Sequence, residues 1–446
     1  MKVDDPNRVG AGARHGPLKA LLLGIHMPRD PVTYDAPLEE LARLADTAGY
    51  RVIERVVQRV QRRNAATFIG KGKAVEVGGL AKAIGANVII VDHDISGAQS
   101  KNLSTVMELP VMDRSELILE IFAKRARTVE SKAQIELAQM EYSLPRLKRL
   151  WTHLSREVSS GSASQGSRGP GESQLETDRR LVRFRIHALR REIKEMQTTR
   201  KRRVEARGKL FTVALVGYTN AGKSTLMNAL TGADVFVEDR LFATLDTTTR
   251  AWDIKPGRRV FLSDTVGFIE NLPHHLVASF LTTLEEARRA DLLLHVIDAH
   301  DPDALAHVKS VEETLSRIEA GGVPRLSVLN QIDRVSDVLA LRVLEDRLPG
   351  ALRVSAVTRE GLDRLGTAVL AATDKRSREV TVVTSPGNGK LLARLREWGS
   401  VEDIAYVDGE ARARVRLSPR HFAPVRREGG TILDADGKPV VESIDE

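Results

Sequence analysis

Gly217 to Ser224 reads GYTNAGKS and fits the phosphate-loop pattern G-x-x-x-x-G-K-[ST]. The preceding residues, Thr212 to Val216, are apolar and largely β-branched and predict a buried strand, whereas Thr225 to Leu230 predict the first turns of a helix. This short pattern is meaningful only when a glycine loop joins a strand to a helix, which is the arrangement predicted here. The stretch therefore predicts an α/β domain that binds phosphate, and the alternative is an ordinary glycine turn.

The residue types of this loop suit the chemistry of a nucleoside triphosphate. Gly217 and Gly222 let the backbone turn so that N–H groups converge on the phosphates, and the helix N-terminus adds its dipole. The Lys223 ammonium suits the β- and γ-phosphates, and the Ser224 hydroxyl suits Mg²⁺. We expect every residue of the loop to contact nucleotide, namely Gly217, Tyr218, Thr219, Asn220, Ala221, Gly222, Lys223, Ser224 and Thr225.

Composition limits the class of protein. The 446 residues suffice for about three domains, and 42% are hydrophobic, so sizeable cores can form. The absence of cysteine excludes disulfides and thiolate metal sites and fits a cytoplasmic location. The longest early apolar run, Ala20 to Ile25, is too short to cross a membrane, so no integral membrane association is expected. The formal net charge of +8 is compatible with nucleic acid or anionic lipid as a partner.

Strand and helix patterns alternate in the first part of the chain. Residues 1–16 are polar and glycine-rich and predict a flexible tail, and residues 17–114 predict a parallel sheet covered by helices. One β–α turn holds Gly70-Lys71-Gly72-Lys73, which could hold the phosphate of RNA or of a nucleotide. A flexible turn with exposed lysines is the alternative that we favour.

Residues 115–208 change to a helical period. Apolar residues recur in steps of three and four from Ile118 to Leu154, with one gap of seven, and predict a long helix that Pro145 should kink. A second apolar seam runs from Val182 to Met196, and Ser173 with Glu176 fits a capping box at its start. We therefore predict an antiparallel helical hairpin whose Gly/Ser-rich connector spans residues 159–171.

Charge is concentrated on this predicted hairpin. Fourteen Lys and Arg face only seven Asp and Glu between Arg156 and Gly208. Such a surplus favours a surface that contacts the RNA backbone, with Arg190, Arg191 and Arg200 to Arg203 as the expected contacts. A solvated helix face with internal ion pairs is the alternative.

Further motifs follow the phosphate loop within residues 209–375. Leu241 to Arg250 is the expected first switch, where a threonine must reach Mg²⁺ and sense the γ-phosphate; Thr244 is our choice, with Thr247 to Thr249 as alternatives. A strand then ends in Asp264, whose carboxylate would hold Mg²⁺ through water, and the Gly267 N–H would meet the γ-phosphate. The residues expected to contact nucleotide here are Phe242, Ala243, Thr244, Asp264, Thr265, Val266 and Gly267. Lys223, Thr244 and Gly267 are the expected catalytic residues, and Ser224, Thr244 and Asp264 are the expected metal ligands.

Two later segments decide which base is bound. A carboxylate at Asp333 can accept hydrogen bonds from N1–H and the exocyclic amino group of guanine, a donor pattern that adenine lacks. Asn330 would tie this loop to the phosphate loop, and Ser355-Ala356-Val357 would present a backbone N–H to guanine O6. The expected contacts with the base are Asn330, Gln331, Ile332, Asp333, Ser355, Ala356 and Val357. The order of these motifs predicts a P-loop GTPase domain.

Residues 376–446 predict a small α+β domain. A strand at Val380 to Val383, a helix at Gly389 to Trp398 and a hairpin turn at Asp408-Gly409 suggest a βαββ unit of ferredoxin-like type. No residues with evident chemistry stand out in it. The predicted fold is therefore an α/β multidomain chain with an N-terminal parallel α/β domain, a helical hairpin, a central P-loop GTPase domain and a small C-terminal α+β domain.

Three runs of residues make the chain similar to the HflX family of ribosome-associated GTPases: Phe68 to Lys73, Gly169 to Arg180, and Phe242 to Asp246. The resemblance covers roughly residues 17 to 375. It implies a protein that docks on the large ribosomal subunit, contacts ribosomal RNA and splits stalled or idle ribosomes, notably under heat stress. It also implies ATP-dependent RNA unwinding by the N-terminal region, where the sequence contains no second phosphate loop.

Two residues depart from the common GTPase pattern. Gln331 replaces the lysine of Asn-Lys-x-Asp, whose stem covers the guanine face, so nucleotide affinity is expected to fall while Asp333 keeps the selectivity. Phe268 follows Gly267, where many GTPases have a glutamine that orients water, so intrinsic hydrolysis is expected to be slow. A hydrophobic residue at this position is itself typical of the family that the chain resembles.

The sequence thus predicts a cytoplasmic GTPase that converts GTP to GDP with Mg²⁺, binds the large subunit and is monomeric when free. Two alternatives remain open. The first is an RNA-acting enzyme, helicase-like or associated with modification, that GTP only regulates. The second is a GTP-dependent switch that recruits a protein effector and does not contact RNA.

Overall fold

The computed structural model describes residues 18–26, 38–146, 170–206, 211–232, 241–242, 245, 247–256, 258–269, 285–375 and 378–440, with side chains of 170–206 only at 176–199. The chain divides into two units. One comprises Met1–Lys194 with Pro273–Ser279, and the other comprises Glu195–Leu272 with Phe280–Glu446. Each unit is described by itself below. The predicted tail and most of the Gly/Ser-rich connector lie outside the described residues.

The alternating pattern of the first unit forms a four-stranded parallel sheet in the order β2-β1-β3-β4. Its strands are β1 (Lys19–His26), β2 (Arg51–Arg59), β3 (Val88–Val91) and β4 (Val111–Asp113). The helices are α1 (Glu39–Ala48), α2 (Lys71–Ala83) and α3 (Gly97–Met107). Gly49 ends α1 at a φ of 90°, the left-handed conformation that glycine adopts without strain. The predicted parallel α/β domain is confirmed.

The single long helix predicted from Ser115 is wrong, because two helices occupy this stretch. They are α4 (Arg114–Arg125) and α5 (Val129–Ser143). Thr128 caps the second, accepting a hydrogen bond of 3.1 Å from the Ser131 N–H, and Val129 is exposed rather than part of the seam. The helix ends at Ser143. Leu144 still has helical backbone angles, with φ of −52° and ψ of −47°, but Pro145 has no N–H with which to continue the hydrogen-bond ladder.

The second helix of the predicted hairpin is α6 (Pro170–Ala206). It begins at Pro170, so Ser173 lies inside the helix and the predicted capping box is wrong; proline suits the first turn, where its missing N–H has no intrahelical partner. The predicted seam is correct, since Ile186, Leu189 and Ile193 are buried.

Two ion pairs join α5 and α6, Arg185 to Glu136 at 2.7 Å and Arg190 to Glu141 at 2.8 Å. Both pairs advance in the same direction along the two helices. In an antiparallel pair, the residue number would rise along one helix while it falls along the other. The predicted pair of packed helices is therefore present, but over this stretch the two helices are not antiparallel. Residues 147–169, which connect the helices, lie outside the described part of the chain.

The second unit begins with a six-stranded sheet in the order β10-β9-β8-β5-β7-β6. Its strands are β5 (Thr212–Val216), β6 (Thr248–Lys255), β7 (Arg258–Asp264), β8 (Leu292–Asp298), β9 (Arg325–Asn330) and β10 (Leu352–Arg353). The helices are α7 (Lys223–Thr231), α8 (Ala304–Arg317), α9 (Val338–Arg347) and α10 (Leu362–Lys375). All neighbouring strands are parallel except the edge strand β6, which is antiparallel to β7. The carboxyl ends of β5, β7, β8 and β9 therefore meet at one edge of the sheet.

The C-terminal part completes a βαββαβ unit. It comprises β11 (Arg378–Thr384), α11 (Gly389–Trp398), β12 (Gly399–Val407), β13 (Glu410–Leu417), α12 (Phe422–Arg427) and β14 (Thr431–Leu433). The antiparallel order β12-β13-β11-β14 is the ferredoxin-like arrangement, and Asp408 and Gly409 form the predicted turn with φ of 53° and 79°. Sequence reasoning missed α12 and β14, which are the shortest helix and one of the shorter strands described. Within the described residues, no helix combines the length and the apolar composition needed to span a membrane.

Candidate nucleotide and magnesium site

The phosphate loop depends on its glycines. Gly217 has a φ of 155°, and a Cβ there would lie 2.2 Å from the Val296 carbonyl oxygen. Gly222 has a φ of 85°, and a Cβ there would lie 2.3 Å from the side-chain nitrogen of Asn330. A side chain at Gly217 would collide with the backbone of β8, and one at Gly222 would displace the Asn330 amide. The loop therefore packs directly against β8 and against the Asn330 loop, and α7 begins at Lys223 with its N–H groups facing the loop.

Lys223 is buried within the phosphate loop. Its ammonium donates to the carbonyl oxygens of Gly217 at 3.0 Å and Tyr218 at 2.7 Å. Burial lowers the pKa of Lys223 to about 8, and the nearby Asp264 carboxylate opposes that shift. Two carbonyl oxygens of the loop thus hold the Lys223 ammonium where the phosphates of a nucleotide would lie.

The two described candidates for metal binding are in contact. The Ser224 hydroxyl donates a 2.6 Å hydrogen bond to Oδ2 of Asp264, which lies at the carboxyl end of β7 and is buried. A hydroxyl and a carboxylate side by side are the oxygen donors that Mg²⁺ prefers, so these residues fit the ion. Ser224 and Asp264 would hold Mg²⁺, which would neutralise charge on the β- and γ-phosphates.

The first switch is described only in part. Thr244 and Ala243 lie outside the described residues, so the predicted threonine is not located. Phe242 is buried with a φ of 56°. Among the alternatives, Thr248 and Thr249 belong to strand β6, and the Thr249 hydroxyl lies 2.9 Å from that of Ser263. These two are held in the sheet, which leaves Thr244 and Thr247 as candidates for the switch.

Residues 264–268 run beside the phosphate loop. The Thr265 hydroxyl donates to the Leu215 carbonyl at 2.6 Å, and Val266 is buried. The Phe268 N–H donates to the Gly217 carbonyl at 3.1 Å, and the Thr219 N–H donates to the Phe268 carbonyl at 2.8 Å. A Cβ on Gly267 would lie 3.0 Å from Nζ of Lys223, so Gly267 approaches the predicted γ-phosphate position. The Phe268 ring itself is buried and cannot orient water.

Asn330, the last residue of β9, links the segment that carries Asp333, called the base loop below, to two other parts of the site. Its side-chain nitrogen donates to the Ala221 carbonyl at 2.9 Å, and its side-chain oxygen accepts from the Ala356 N–H at 3.1 Å. Both polar atoms of this buried amide are thus used. Asp333 lies in the following 3₁₀ turn, Ile332–Arg334, where its carboxylate is exposed. Ser355 is buried and accepts a hydrogen bond at 3.0 Å from Thr358, whereas Val357 is exposed.

Sequence reasoning missed four side chains at this site. Asp298 and Arg334 both contact Gln331, at 2.7 and 2.6 Å. His307 stacks on Tyr218 of the phosphate loop, with ring centroids 3.7 Å apart. His295 is buried beside the loop in β8, and burial lowers its pKa to about 4, so it stays neutral. Of these, only Asp298 carried a sequence signal, because it ends a predicted strand whose carboxyl end must lie at the site.

The turn with Gly70 and Gly72 is exposed and loosely packed. A Cβ on either glycine would meet only open space, and Lys73 pairs with Glu76 at 2.6 Å. The contacts are those of an exposed β–α turn, the alternative that we favoured.

Three family models match consecutive segments of the chain. The model described as GTP-binding GTPase N-terminal matches residues 35–123, and GTP-binding GTPase Middle Region matches residues 125–207. The model described as 50S ribosome-binding GTPase matches residues 212–331.

Curated relatives match over nearly the full length. The chain is 42% identical over 424 residues to "GTPase HflX" of Magnetococcus marinus, covering 93% of this chain and 96% of the relative. It is 41% identical over 406 residues to "GTPase HflX" of Escherichia coli K12, covering 90% and 93%. A solved GTP-binding protein from Sulfolobus solfataricus in complex with GDP is 25% identical, covers 80% of this chain and 99% of its own, and gives a TM-score of 0.42.

Proposed function

The chain belongs to the HflX family of GTPases, and we propose that its GTP-bound form associates with the large ribosomal subunit through RNA and helps to split or rescue ribosomes under stress. Lys223, Ser224 and Asp264 handle the phosphates and Mg²⁺ in this proposal, with Thr244 closing the site when GTP is present. Asn330, Asp333 and Ala356 select guanine. The observation that carries the RNA contact is the surface of helix α6.

Helix α6 presents an exposed aromatic ring among arginines. The side chain of Phe184 is 74% exposed, and that of Leu181 is 58% exposed. Arg180, His187 and Arg191 lie four residues before, three after and seven after Phe184, so all four share one side of the helix. Arg183 lies three residues after Arg180 and four before His187, so it borders the same side. We call these five residues the outer face of α6.

The ion pairs divide the arginines of α6 into two groups. Arg185 and Arg190 pair with glutamates of α5, as described above. Within the described part of the chain, Arg180, Arg183 and Arg191 form no ion pair. The Arg190 side chain stays 59% exposed beside Glu141, so Arg190 and Arg191 both remain proposed RNA contacts, with Arg191 the more available of the two.

An RNA strand satisfies both features of the outer face. Phosphates attract the unpaired guanidinium groups, and an unstacked base can lie on the exposed Phe184 ring. A protein partner would also cover an apolar ring, but it would leave a surplus of arginines without counter-ions unless it were strongly acidic. RNA is consequently the partner that this face favours.

Hydrolysis then ends the ribosome-bound state. The buried Phe268 provides no side chain to position water, so turnover by the free protein should be slow and the ribosome should supply the missing order or charge. In such a cycle, the protein leaves the large subunit only after the subunit has stimulated GTP hydrolysis.

Co-sedimentation tests this function. The protein is centrifuged through sucrose with purified large subunits in the presence of GDP or of a non-hydrolysable GTP analogue, with small subunits as the matched control. We expect pelleting with large subunits that depends on the GTP analogue. Equal recovery with GDP and the analogue, or with both subunits, would contradict a GTP-controlled ribosome contact and favour one of the two alternatives stated above.

A further inference from the structure

We propose that Arg334, oriented by Gln331, covers the face of the bound guanine and supplies the positive charge that a lysine provides in the common Asn-Lys-x-Asp motif. The inference concerns the GTPase site of this chain and does not depend on the ribosome. It assigns a nucleotide-binding role to a residue outside every motif considered above.

Gln331 is held in a single orientation by the phosphate loop and by β8. Its side-chain nitrogen donates to the Asn220 carbonyl at 3.1 Å and to Oδ2 of Asp298 at 2.7 Å. The backbone of Gln331 has a φ of 62°, the left-handed conformation, which is unusual for a residue other than glycine. Of the two amide hydrogens, one is thus bonded to the phosphate loop and the other to the end of β8. The amide cannot rotate without breaking these hydrogen bonds.

Asp298 is fixed as the partner of this amide. Its other oxygen, Oδ1, accepts a hydrogen bond of 2.9 Å from the His300 N–H. Burial raises the pKa of Asp298, whereas the His300 hydrogen bond and the nearby Arg334 cation lower it. The carboxylate is therefore directed at Gln331 from the end of β8, and it attracts a cation to the same place.

The Gln331 amide oxygen is a hydrogen-bond partner of Arg334. Because its nitrogen faces Asn220 and Asp298, the amide oxygen faces outward and accepts a 2.6 Å hydrogen bond from Nη1 of Arg334. Arg334 immediately follows Asp333, the residue expected to bind the edge of the base. A guanidinium held beside the base-binding carboxylate is in reach of the guanine face.

The chemistry of the side chains explains why Gln331 and Arg334 would share the roles of the motif lysine. A lysine has a stem long enough to lie on the base while its ammonium reaches the loop carbonyl. Glutamine is shorter and neutral, and here its amide is occupied by the loop. An arginine offers a flat, permanently charged group that stacks on aromatic rings. Gln331 keeps the link to the phosphate loop, and Arg334 provides the flat surface and the charge.

Calorimetric titration of purified full-length protein with GDP tests the proposal. Arg334→Ala should weaken GDP binding about fivefold to thirtyfold, the range of a partly desolvated cation–π contact, while Arg334→Lys should lose less. Arg347→Ala is the matched control, because Arg347 is an exposed arginine in the last turn of α9. Competition by inorganic pyrophosphate should be unchanged in all three variants, since the contact is with the base.

A variant of Gln331 tests whether Gln331 and Arg334 share the roles of the motif lysine. Gln331→Lys restores the common motif and should bind GDP at least as tightly as wild type. In that background, Arg334→Ala should have less than a third of its original effect, because the lysine now covers the base. An equal effect of Arg334→Ala in both backgrounds contradicts the proposal.

Two further results would overturn it. One is an Arg334→Ala variant that binds GDP within twofold of Arg347→Ala. The other is an equal loss of pyrophosphate and GDP binding, which would assign Arg334 to phosphate binding or to loop stability. A wild-type protein that binds no guanine nucleotide at all would instead contradict the GTPase assignment itself.

Discussion

The side-chain nitrogen of Asn330 donates a 2.9 Å hydrogen bond to the carbonyl oxygen of Ala221, which ties the base loop to the phosphate loop across 109 residues of sequence. The same side chain accepts from Ala356, so three segments that would contact a nucleotide share one buried amide. This connection holds the segment that carries Asp333, three residues later, against the phosphate loop. Asp333 is exposed and is not the residue that makes this link, so a mutation there should change base selection without disturbing the phosphate loop.

Asp333→Asn should change the preferred base without disrupting the loop. An amide replaces an acceptor with a donor opposite guanine N1–H, so GTP binding should weaken, whereas xanthosine triphosphate should bind better because its 2-oxo group accepts from the new donor. Fluorescence competition gives both affinities for wild type and variant. Asp436→Asn, in an exposed C-terminal turn, is the control and should change neither value. An unchanged preference for guanine in Asp333→Asn would remove Asp333 from base recognition.

Intrinsic GTP hydrolysis should be slow and should accelerate on the large subunit. Phe268 is buried, and its backbone is hydrogen-bonded to Gly217 and Thr219, so no side chain there can orient water. A group supplied in trans is worth about 10³- to 10⁵-fold in related enzymes. Phosphate release is measured with no subunits, small subunits or large subunits. Equal rates in all three would exclude the ribosome as activator, though not as binding partner.

Nucleotide binding should take up protons near pH 8. Burial lowers the pKa of Lys223 from 10.5 to about 8, so at that pH about half of the free protein has a neutral lysine. Phosphates favour the charged form and raise this pKa, so affinity is full below about pH 8 and falls as the pH rises above it. Calorimetry at pH 8 in two buffers of different ionisation enthalpy should show uptake of about half a proton per GDP. No uptake would mean that Lys223 is already charged in the free protein.

Local patterns predicted the strand, glycine loop and helix around Gly217 to Ser224, because these elements are adjacent in sequence. The strand Thr212–Val216, the glycine loop and the helix from Lys223 follow one another directly, and each has strong residue preferences. The polar residues at the ends of β7 and β9 were found for a different reason. A parallel sheet brings its strand ends to one edge, so those segments had to converge.

Long-range and weakly encoded features were not predictable in this way. The Asp298–Gln331 contact spans 33 residues and depends on a side-chain orientation that no pattern encodes. The break between α4 and α5 was marked only by the seven-residue gap from Phe122 to Val129, and Thr128 was not recognised as a cap. Two ion pairs show the register of α5 and α6, and the spacing of apolar residues cannot specify such pairs.

Charge removal on the outer face of α6 should weaken RNA-dependent binding. A variant with Arg180, Arg183 and Arg191 all changed to Gln should reduce the log–log salt slope of large-subunit binding by roughly one unit per lost phosphate contact. Phe184→Ala should weaken binding without changing that slope, because stacking releases no counter-ions. Changing the exposed Arg342 and Arg347 of α9 and Arg364 of α10 to Gln removes the same net charge and should leave the slope unchanged. An unaltered slope in the triple variant would contradict RNA binding by this face.

Replacing residues 162–169 with a short turn should separate binding from ribosome splitting. We expect the Gly/Ser-rich connector to act through its reach into an RNA-lined site, since a segment of this composition contributes little to a packed core. Nucleotide affinity and thermal stability should therefore stay nearly unchanged, and binding through Arg180, Arg183 and Arg191 should largely survive. Subunit dissociation, followed by light scattering, should be lost. A variant that still splits ribosomes at the wild-type rate would make the connector a spacer, and the outer face of α6 would then be the part of the hairpin that acts on the ribosome.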